Sequence, residues 1–173
     1  IGSSDFSTGS FVYAENPSDN LDDFSIAHDL EDVVPLVKDA LAESGNNIKI
    51  VSSAWTGPAW MKNNNNLFGG SIIEDRRDEF ALYISKYITA YEAEGIPIWA
   101  ITPENEPVGN NGSWESMEWD AQSMAWFVNE FLGPKLEEDH PDVLMFIFDQ
   151  NKDEMHHWAE TIINEGNNKS YVD

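Results

Sequence analysis

Residues 97–107 read PIWAITPENEP, a short and almost uninterrupted apolar run that leads directly into two carboxylates. Apolar runs of this length are typical of strands buried on both faces, as in parallel sheets. Two further segments have the same character, residues 48–54 (IKIVSSA) and residues 143–148 (VLMFIF). The sequence therefore predicts three strands, each followed by polar or aromatic residues.

Helical periodicity occupies the segments around these strands, with apolar residues three and four positions apart. The predicted helices cover residues 33–41, 80–91, 124–132 and 155–163. We expect the third helix to end before Gly133-Pro134 and Asp153 to cap the fourth. The alternation of helices and strands indicates an α/β protein with a parallel sheet and helices outside it.

The remaining motifs narrow the choice of parallel architecture. No Gly-x-Gly-x-x-Gly turn follows a predicted strand and no phosphate loop is present, so nucleotide-binding folds have no support. The other common parallel architecture is the (β/α)8 TIM barrel, which needs about 250 residues. We therefore expect residues 1–173 to form a single partial barrel domain, incomplete at both ends.

Charge and composition limit the partners of this chain. It carries 9 Lys and Arg against 32 Asp and Glu, a formal net charge of −23, so phosphate backbones and anionic lipids should repel it. We expect no nucleic-acid partner and, without an apolar run of about 20 residues, no transmembrane segment. The absence of cysteine excludes zinc-thiolate sites and cysteine nucleophiles. We expect no metal and no cofactor, and the oligomeric state stays open.

Polar side chains follow the second and third predicted strands, at the edge where a TIM barrel carries its active site. These residues are Glu104, Asn105, Glu106, Asp149 and Asn151. Glycoside hydrolysis needs a carboxylic acid on the leaving oxygen and a second carboxylate across the sugar. Glu104 and Glu106 share a face if the strand continues, but a sugar could not fit between them. A solvated acidic loop is an equally good explanation of this pattern.

Aromatic side chains add to the case for a sugar site. Trp55 and Trp60 follow the first predicted strand, and Asp5-Phe6 stands near the start of the chain. Flat rings suit the apolar C–H faces of sugars, and a carboxylate can accept hydrogen bonds from their hydroxyls. Ordinary packing is the competing explanation for each tryptophan. The histidines, His140 among them, lack metal-site spacing and are expected at the surface or in caps.

Four stretches together resemble glycoside hydrolase family 30, the family of glucosylceramidases and endo-β-1,6-glucanases. They are residues 1–7 with Tyr13-Ala14, 54–62 (AWTGPAWMK), 99–107 (WAITPENEP) and 149–151 (DQN). Asn-Glu-Pro alone is shared by many barrel glycosidases, whereas the Trp-Thr-x-Pro-x-Trp-Met-Lys stretch is much more specific. The resemblance covers the whole chain and implies a barrel segment from the end of strand 2 to the helix after strand 5.

The resemblance implies a retaining β-glycosidase that hydrolyses β-glucosidic bonds with two carboxylates. Glu106 matches the general acid/base, and Asn105 matches the residue that bonds the sugar 2-hydroxyl. Asp5 and Trp55 match groups that hold the non-reducing sugar, with Phe6 beside them. Many relatives carry Gln where this chain has Glu104, so its role stays open.

The family's nucleophile is a second Glu at the end of the seventh strand, and this chain does not contain it. We therefore expect these 173 residues alone to be inactive.

Several alternatives remain open at this point. The substrate can be glucosylceramide, which would imply sphingolipid metabolism, or a β-1,6-glucan or short β-glucoside. A non-catalytic carbohydrate-binding barrel relative would use the same Trp and Asp residues. An acidic cation-binding domain would need an Asp-x-Asp-x-Asp loop, which the sequence lacks. For the full-length protein we expect a secreted or periplasmic location. Asn111-Gly112-Ser113 matches the N-glycosylation pattern.

Overall fold

The computed structural model describes residues 1–109 and 112–173, and the glycosylation pattern at Asn111 lies outside them. In this described part, three parallel strands form one sheet whose order, β1-β2-β3, follows the chain. The strands are β1 (Ile50–Ser53), β2 (Ile98–Thr102) and β3 (Leu144–Met145). The helices are α1 (Val33–Glu43), α2 (Arg77–Ala93), α3 (Ala121–Phe127), α4 (Gly133–Asp139), α5 (Met155–Ile163) and α6 (Asn168–Tyr171). None of these helices is long and apolar enough to cross a bilayer. The predicted α/β class with parallel strands is confirmed.

Regular pairing in the sheet is shorter than the sequence predicts at both outer strands. Residues 48–54 give only the four residues of β1, and residues 143–148 give only the two of β3. Beyond β3 the ladder continues with the Phe146 N–H, which donates to the Ile101 carbonyl at 2.9 Å. On the other side of β3, the Asp173 N–H donates to the Met145 carbonyl at 3.1 Å, so the last residues lie beside this strand.

Helix α2 covers one face of the sheet with the apolar stripe predicted from its periodicity. The stripe consists of Phe80, Tyr83, Ile84, Tyr87, Ile88 and Tyr91, each at most 4% exposed. Gly95 (φ 80°) follows the helix end, where a left-handed residue favours glycine. The Ser52 and Tyr87 hydroxyls lie 2.8 Å apart and join β1 to α2. Because neighbouring strand residues point to opposite faces, Ser53 points away from this helix.

Residues 1–32 contain no helix or strand, and buried polar contacts hold them to the domain. The hydroxyls of Tyr13 and Tyr91 donate to Asp29 Oδ2 at 2.5 and 2.6 Å, and Asp29 is only 2% exposed. Burial raises the pKa of both tyrosines, so they remain donors. The Ile1 nitrogen donates to the Ser53 carbonyl at 2.6 Å, which places the start of the chain beside the end of β1.

The helix predicted to end before Gly133-Pro134 instead continues to Asp139. A π-helical segment, Val128–Leu132, joins α3 to α4, and Pro134 lies in the first turn of α4. The proline lacks only an N–H that a first turn leaves free, so it does not end the helix. Gly133 is required by packing, since a Cβ there would collide with the ring of Tyr171.

The predictions for Asp153 and His140 had different outcomes. Asp153 does not cap α5: it lies in a 3-10 turn, Lys152–Glu154, and α5 has no side-chain cap within the described chain. His140 lies in one of the two places expected for it, as the C-cap residue of α4, and is only 7% exposed. Its Nε2 lies 3.0 Å from the Ser85 carbonyl, so it fills a buried polar position between α2 and the end of α4.

Phe80 tests whether the packing of α2 against Trp119 and α3 supports the domain. Its ring is fully buried against those of Trp119 and Phe127, with centroids 6.4 and 5.6 Å away. We expect Phe80→Ala to lower the free energy of unfolding by about 3–5 kcal/mol, because the cavity cannot collapse fully. Leu36→Ala, at a side chain 71% exposed, should cost less than about 0.5 kcal/mol. Urea unfolding of the full-length protein measures both, and equal losses would contradict this packing.

Candidate active site

The backbone brings the ends of all three strands together at one edge of the sheet. The Asn105 N–H donates to the Ala54 carbonyl at 2.6 Å, and the Glu106 N–H donates to the Asp149 carbonyl at 2.8 Å. Trp55 follows Ala54 directly. The residues after β1, β2 and β3 therefore line one continuous edge.

Glu106 is exposed at this edge and stands on a sharp turn. Its φ is 50°, in the left-handed region that non-glycine residues rarely adopt and that often marks functional sites. The Gly109 N–H donates to the Glu106 carbonyl at 2.7 Å and closes the turn. A Cβ on Gly109 would lie 2.8 Å from Glu106 Oε2, so the glycine leaves room for the carboxylate.

Glu104 lies in the opposite environment although it is only two residues away. It is 2% exposed, and its Oε1 accepts the Met117 N–H at 3.1 Å. Its Oε2 has no hydrogen-bond partner within the described residues. Burial raises the pKa of Glu104 well above its usual 4.5, against the opposing effects of the Met117 N–H and of Lys62. The turn at Glu106 separates the two carboxyls, so they do not form a coupled pair on one strand face.

Asp149 belongs to a polar group on the sheet face opposite α2. Ser53 Oγ and Thr102 Oγ1 donate to Asp149 Oδ2 at 2.6 and 3.2 Å, and the two hydroxyls are 2.7 Å apart. Sequence reasoning named Asp149 but missed Ser53 and Thr102. The signal was available, because both are polar residues at the last positions of apolar strands. This group links the three strand ends beneath the edge that carries Glu106.

The aromatic residues predicted for a sugar site divide into two kinds. Phe6 is 87% exposed and meets Trp55 edge to face, with centroids 6.1 Å apart, while Asp5 beside it is also exposed. Trp60 instead donates its indole N–H to the Ala14 carbonyl at 3.1 Å, and the Arg76 guanidinium covers its ring at 5.5 Å. Packing therefore accounts for Trp60, whereas Phe6 and Trp55 form an open aromatic corner.

The remaining predicted residues lie at the same edge with fewer contacts. Asn105 is half-buried between the backbones of Ala54 and Asp149, and Asn151 is exposed before the 3-10 turn that precedes α5. Among the described residues, no three His, Asp or Glu side chains are grouped as metal ligands.

Lys62 is the functional-site neighbour to which sequence reasoning gave no role. It is 4% exposed, and its Nζ donates to Thr56 Oγ1, the Leu67 carbonyl and the Ser116 carbonyl at 2.8, 3.0 and 2.8 Å. Burial lowers its pKa to about 8, partly offset by Glu104. The only signal in the sequence was its place at the end of the 54–62 stretch.

A model of the glycosyl hydrolase family 30 TIM-barrel domain matches residues 1–173. The chain belongs to glycosyl hydrolase family 30. The predicted family and the partial barrel are thereby confirmed. Putative glucosylceramidase 3 of Caenorhabditis elegans is 32% identical over all of this chain and 35% of its own length. Lysosomal acid glucosylceramidase of Mus musculus is 31% identical over 99% of this chain and 35% of its own length.

Solved structures agree with these matches. The endo-β1,6-glucanase BT3312 superposes with a TM-score of 0.90 and 27% identity, over 99% of this family 30 chain and 40% of that structure. The chain therefore spans about a third of the length of the curated relatives it matches.

The buried carboxyl of Glu104 predicts a pH-dependent stability. Its folded pKa lies well above the usual 4.5, so the unfolded chain loses this proton first as the pH rises. Compared with Glu104→Gln, the wild type should therefore lose stability above about pH 4.5, by up to about 1.4 kcal/mol per pH unit, until the folded pKa is reached. Unfolding of the full-length protein between about pH 4.5 and 7, where Lys62 stays protonated, measures this.

The matched control is Glu118→Gln, which changes an exposed carboxylate in the same loop. Its stability should run parallel to that of the wild type. If the free energy of unfolding of Glu104→Gln also follows that of the wild type across this pH range, then Glu104 is ionised in the folded protein.

Proposed function

We propose that this chain is part of the catalytic barrel of a retaining β-glycosidase in which Glu106 is the general acid/base. The observation that carries the proposal is the placement of Glu106: an exposed carboxylate on a left-handed turn, held by its N–H to the Asp149 carbonyl, with space left by Gly109. Membership in a family whose relatives include glucosylceramidases and an endo-1,6-glucanase supports a glycosidase.

The proposed reaction has two displacements. In the first, Glu106 donates its proton to the glycosidic oxygen while a second carboxylate, supplied from outside residues 1–173, bonds to the anomeric carbon. In the second, Glu106 accepts a proton from water, whose oxygen replaces that carboxylate and restores the starting configuration. Asn105, half-buried beside Glu106, is suited to bond the sugar 2-hydroxyl. Because the second carboxylate is absent, residues 1–173 alone should not hydrolyse glycosides.

The proposed sugar-binding group is Asp5, Phe6 and Trp55. A phenyl ring that is 87% exposed in the free protein gains by covering an apolar sugar face. Asp5 can accept hydrogen bonds from sugar hydroxyls at the same end. The names of the relatives favour a β-glucosyl residue, linked to ceramide or to a second glucose at its 6-position.

Leaving-group dependence tests the role of Glu106. We expect Glu106→Gln in the full-length protein to lower kcat/KM for alkyl β-glucosides by roughly 10²–10⁴-fold. An activated dinitrophenyl glucoside should lose far less, since its departure needs no proton. With Glu106→Ala and the dinitrophenyl glucoside as substrate, added azide should restore turnover. The product should be the β-glucosyl azide, which results from two inversions.

Glu118→Gln is the control for Glu106→Gln, because it removes an exposed carboxylate from the same loop. It should leave kcat/KM unchanged for both substrates. Unchanged hydrolysis of alkyl glucosides by Glu106→Gln would refute the assignment. A full-length wild type that binds glucosides but cleaves none would instead indicate a carbohydrate-binding relative.

A further inference from the structure

One buried peptide unit is held from both sides by ionisable side chains of two different loops. The Ser116 carbonyl accepts from Lys62 Nζ at 2.8 Å, and the N–H of the same peptide, on Met117, donates to Glu104 Oε1 at 3.1 Å. All four residues are at most 6% exposed. Lys62 and Glu104 therefore meet through this peptide rather than as a direct ion pair.

The same peptide unit is tied to the loop that carries Trp55. Lys62 Nζ also donates to Thr56 Oγ1 at 2.8 Å, and Thr56 is the neighbour of Trp55. The Gly57 N–H donates to Met117 Sδ at 3.0 Å. On the other side, Glu104 stands two residues before Glu106. The clamp thus connects the loop after β1 with the loop after β2.

The preceding residue extends these ties to the first loop of the chain. Ser3 Oγ donates to Glu115 Oε1 at 3.0 Å, and both side chains are buried. Ser3 lies two residues before Asp5. The three adjacent residues 115–117 therefore contact each of the loops that carry Asp5, Trp55 and Glu106.

Simple packing does not require such a costly arrangement. Burying an ammonium and a carboxyl is unfavourable unless hydrogen bonds satisfy them, and apolar side chains of similar volume would often be at least as stable. Lys62 uses its three donors on three fixed oxygens, which is a geometric constraint rather than a gain in burial.

We infer that Lys62 and Glu104 are positioning residues, which clamp the Ser116–Met117 peptide and thereby hold Glu106 in register with Trp55. The inference rests on the proposed glycosidase function. It assigns both residues to the geometry of proton donation and not to contact with the sugar.

The test compares two substrates across matched variants of the full-length protein. We expect Lys62→Met and Glu104→Leu to lower kcat/KM tenfold or more for an alkyl β-glucoside and less than threefold for a dinitrophenyl β-glucoside. A misplaced acid affects only the substrate that needs its proton. Glu104→Gln keeps an acceptor for the Met117 N–H and should restore near-wild-type values. Glu118→Leu, at an exposed position of the same loop, should change neither substrate.

Hydrogen exchange at the Met117 amide provides a readout that does not depend on activity. Its protection should fall in Lys62→Met and Glu104→Leu and persist in Glu104→Gln. If Glu104→Leu does not fold, the inference is tested by the kinetics of Lys62→Met and by the exchange rate of the Met117 amide in that variant.

Equal losses on both substrates would mean that the residues do not position the acid, and unchanged Met117 exchange in Lys62→Met would mean that there is no clamp. Either result overturns the inference. A wild type without activity would overturn the proposed function but leave the exchange test of the clamp intact.

Discussion

The backbone bonds that extend the sheet past its regular strands are the constraint on which the site depends. Two of these bonds hold three loops at fixed spacing. The Asn105 N–H donates to the Ala54 carbonyl, and the Glu106 N–H donates to the Asp149 carbonyl. Side chains near this edge then need only local turns to reach their positions. The left-handed turn at Glu106 is one such device, and it is tolerable because the ladder on both sides fixes the neighbouring backbone.

Two carboxyl groups in one short motif illustrate how strongly local surroundings divide chemical roles. Glu106 is exposed to solvent at the edge where the strands end, whereas Glu104 is buried and favours its neutral form. An exposed acid can reach a ligand, whereas an enclosed one can only act on the protein around it. The backbone reversal between them, rather than their spacing in the sequence, creates this difference.

The sequence predicted the elements whose apolar residues follow a regular pattern. Helix α2 and strand β2 carry long periodic or continuous apolar patterns, and the position of Glu106 after the β2 run predicts that it lies at an open edge. The predictions failed where one packing contact overrides a local rule. Pro134 does not end its helix, because the π-helical segment before it puts the proline in a first turn.

The clamp could not have been predicted for a related reason. Lys62, Glu104 and Ser116 lie on irregular backbone, and their contacts join positions up to 54 residues apart, so no periodicity reports them. The roles of Glu106, Asn105, Asp5, Phe6 and Trp55 remain predictions that rest on their placement and on the family resemblance.

The order of the strands in the sheet has a consequence for how the domain is made. Since β1, β2 and β3 lie side by side in the order of their synthesis, each new strand finds its partner in the segment that left the ribosome just before it. Growth of this kind keeps the loop to be closed at each step to one helical connection, which limits the entropic cost. The sheet can thus lengthen by one strand at a time, with each new strand added beside the last.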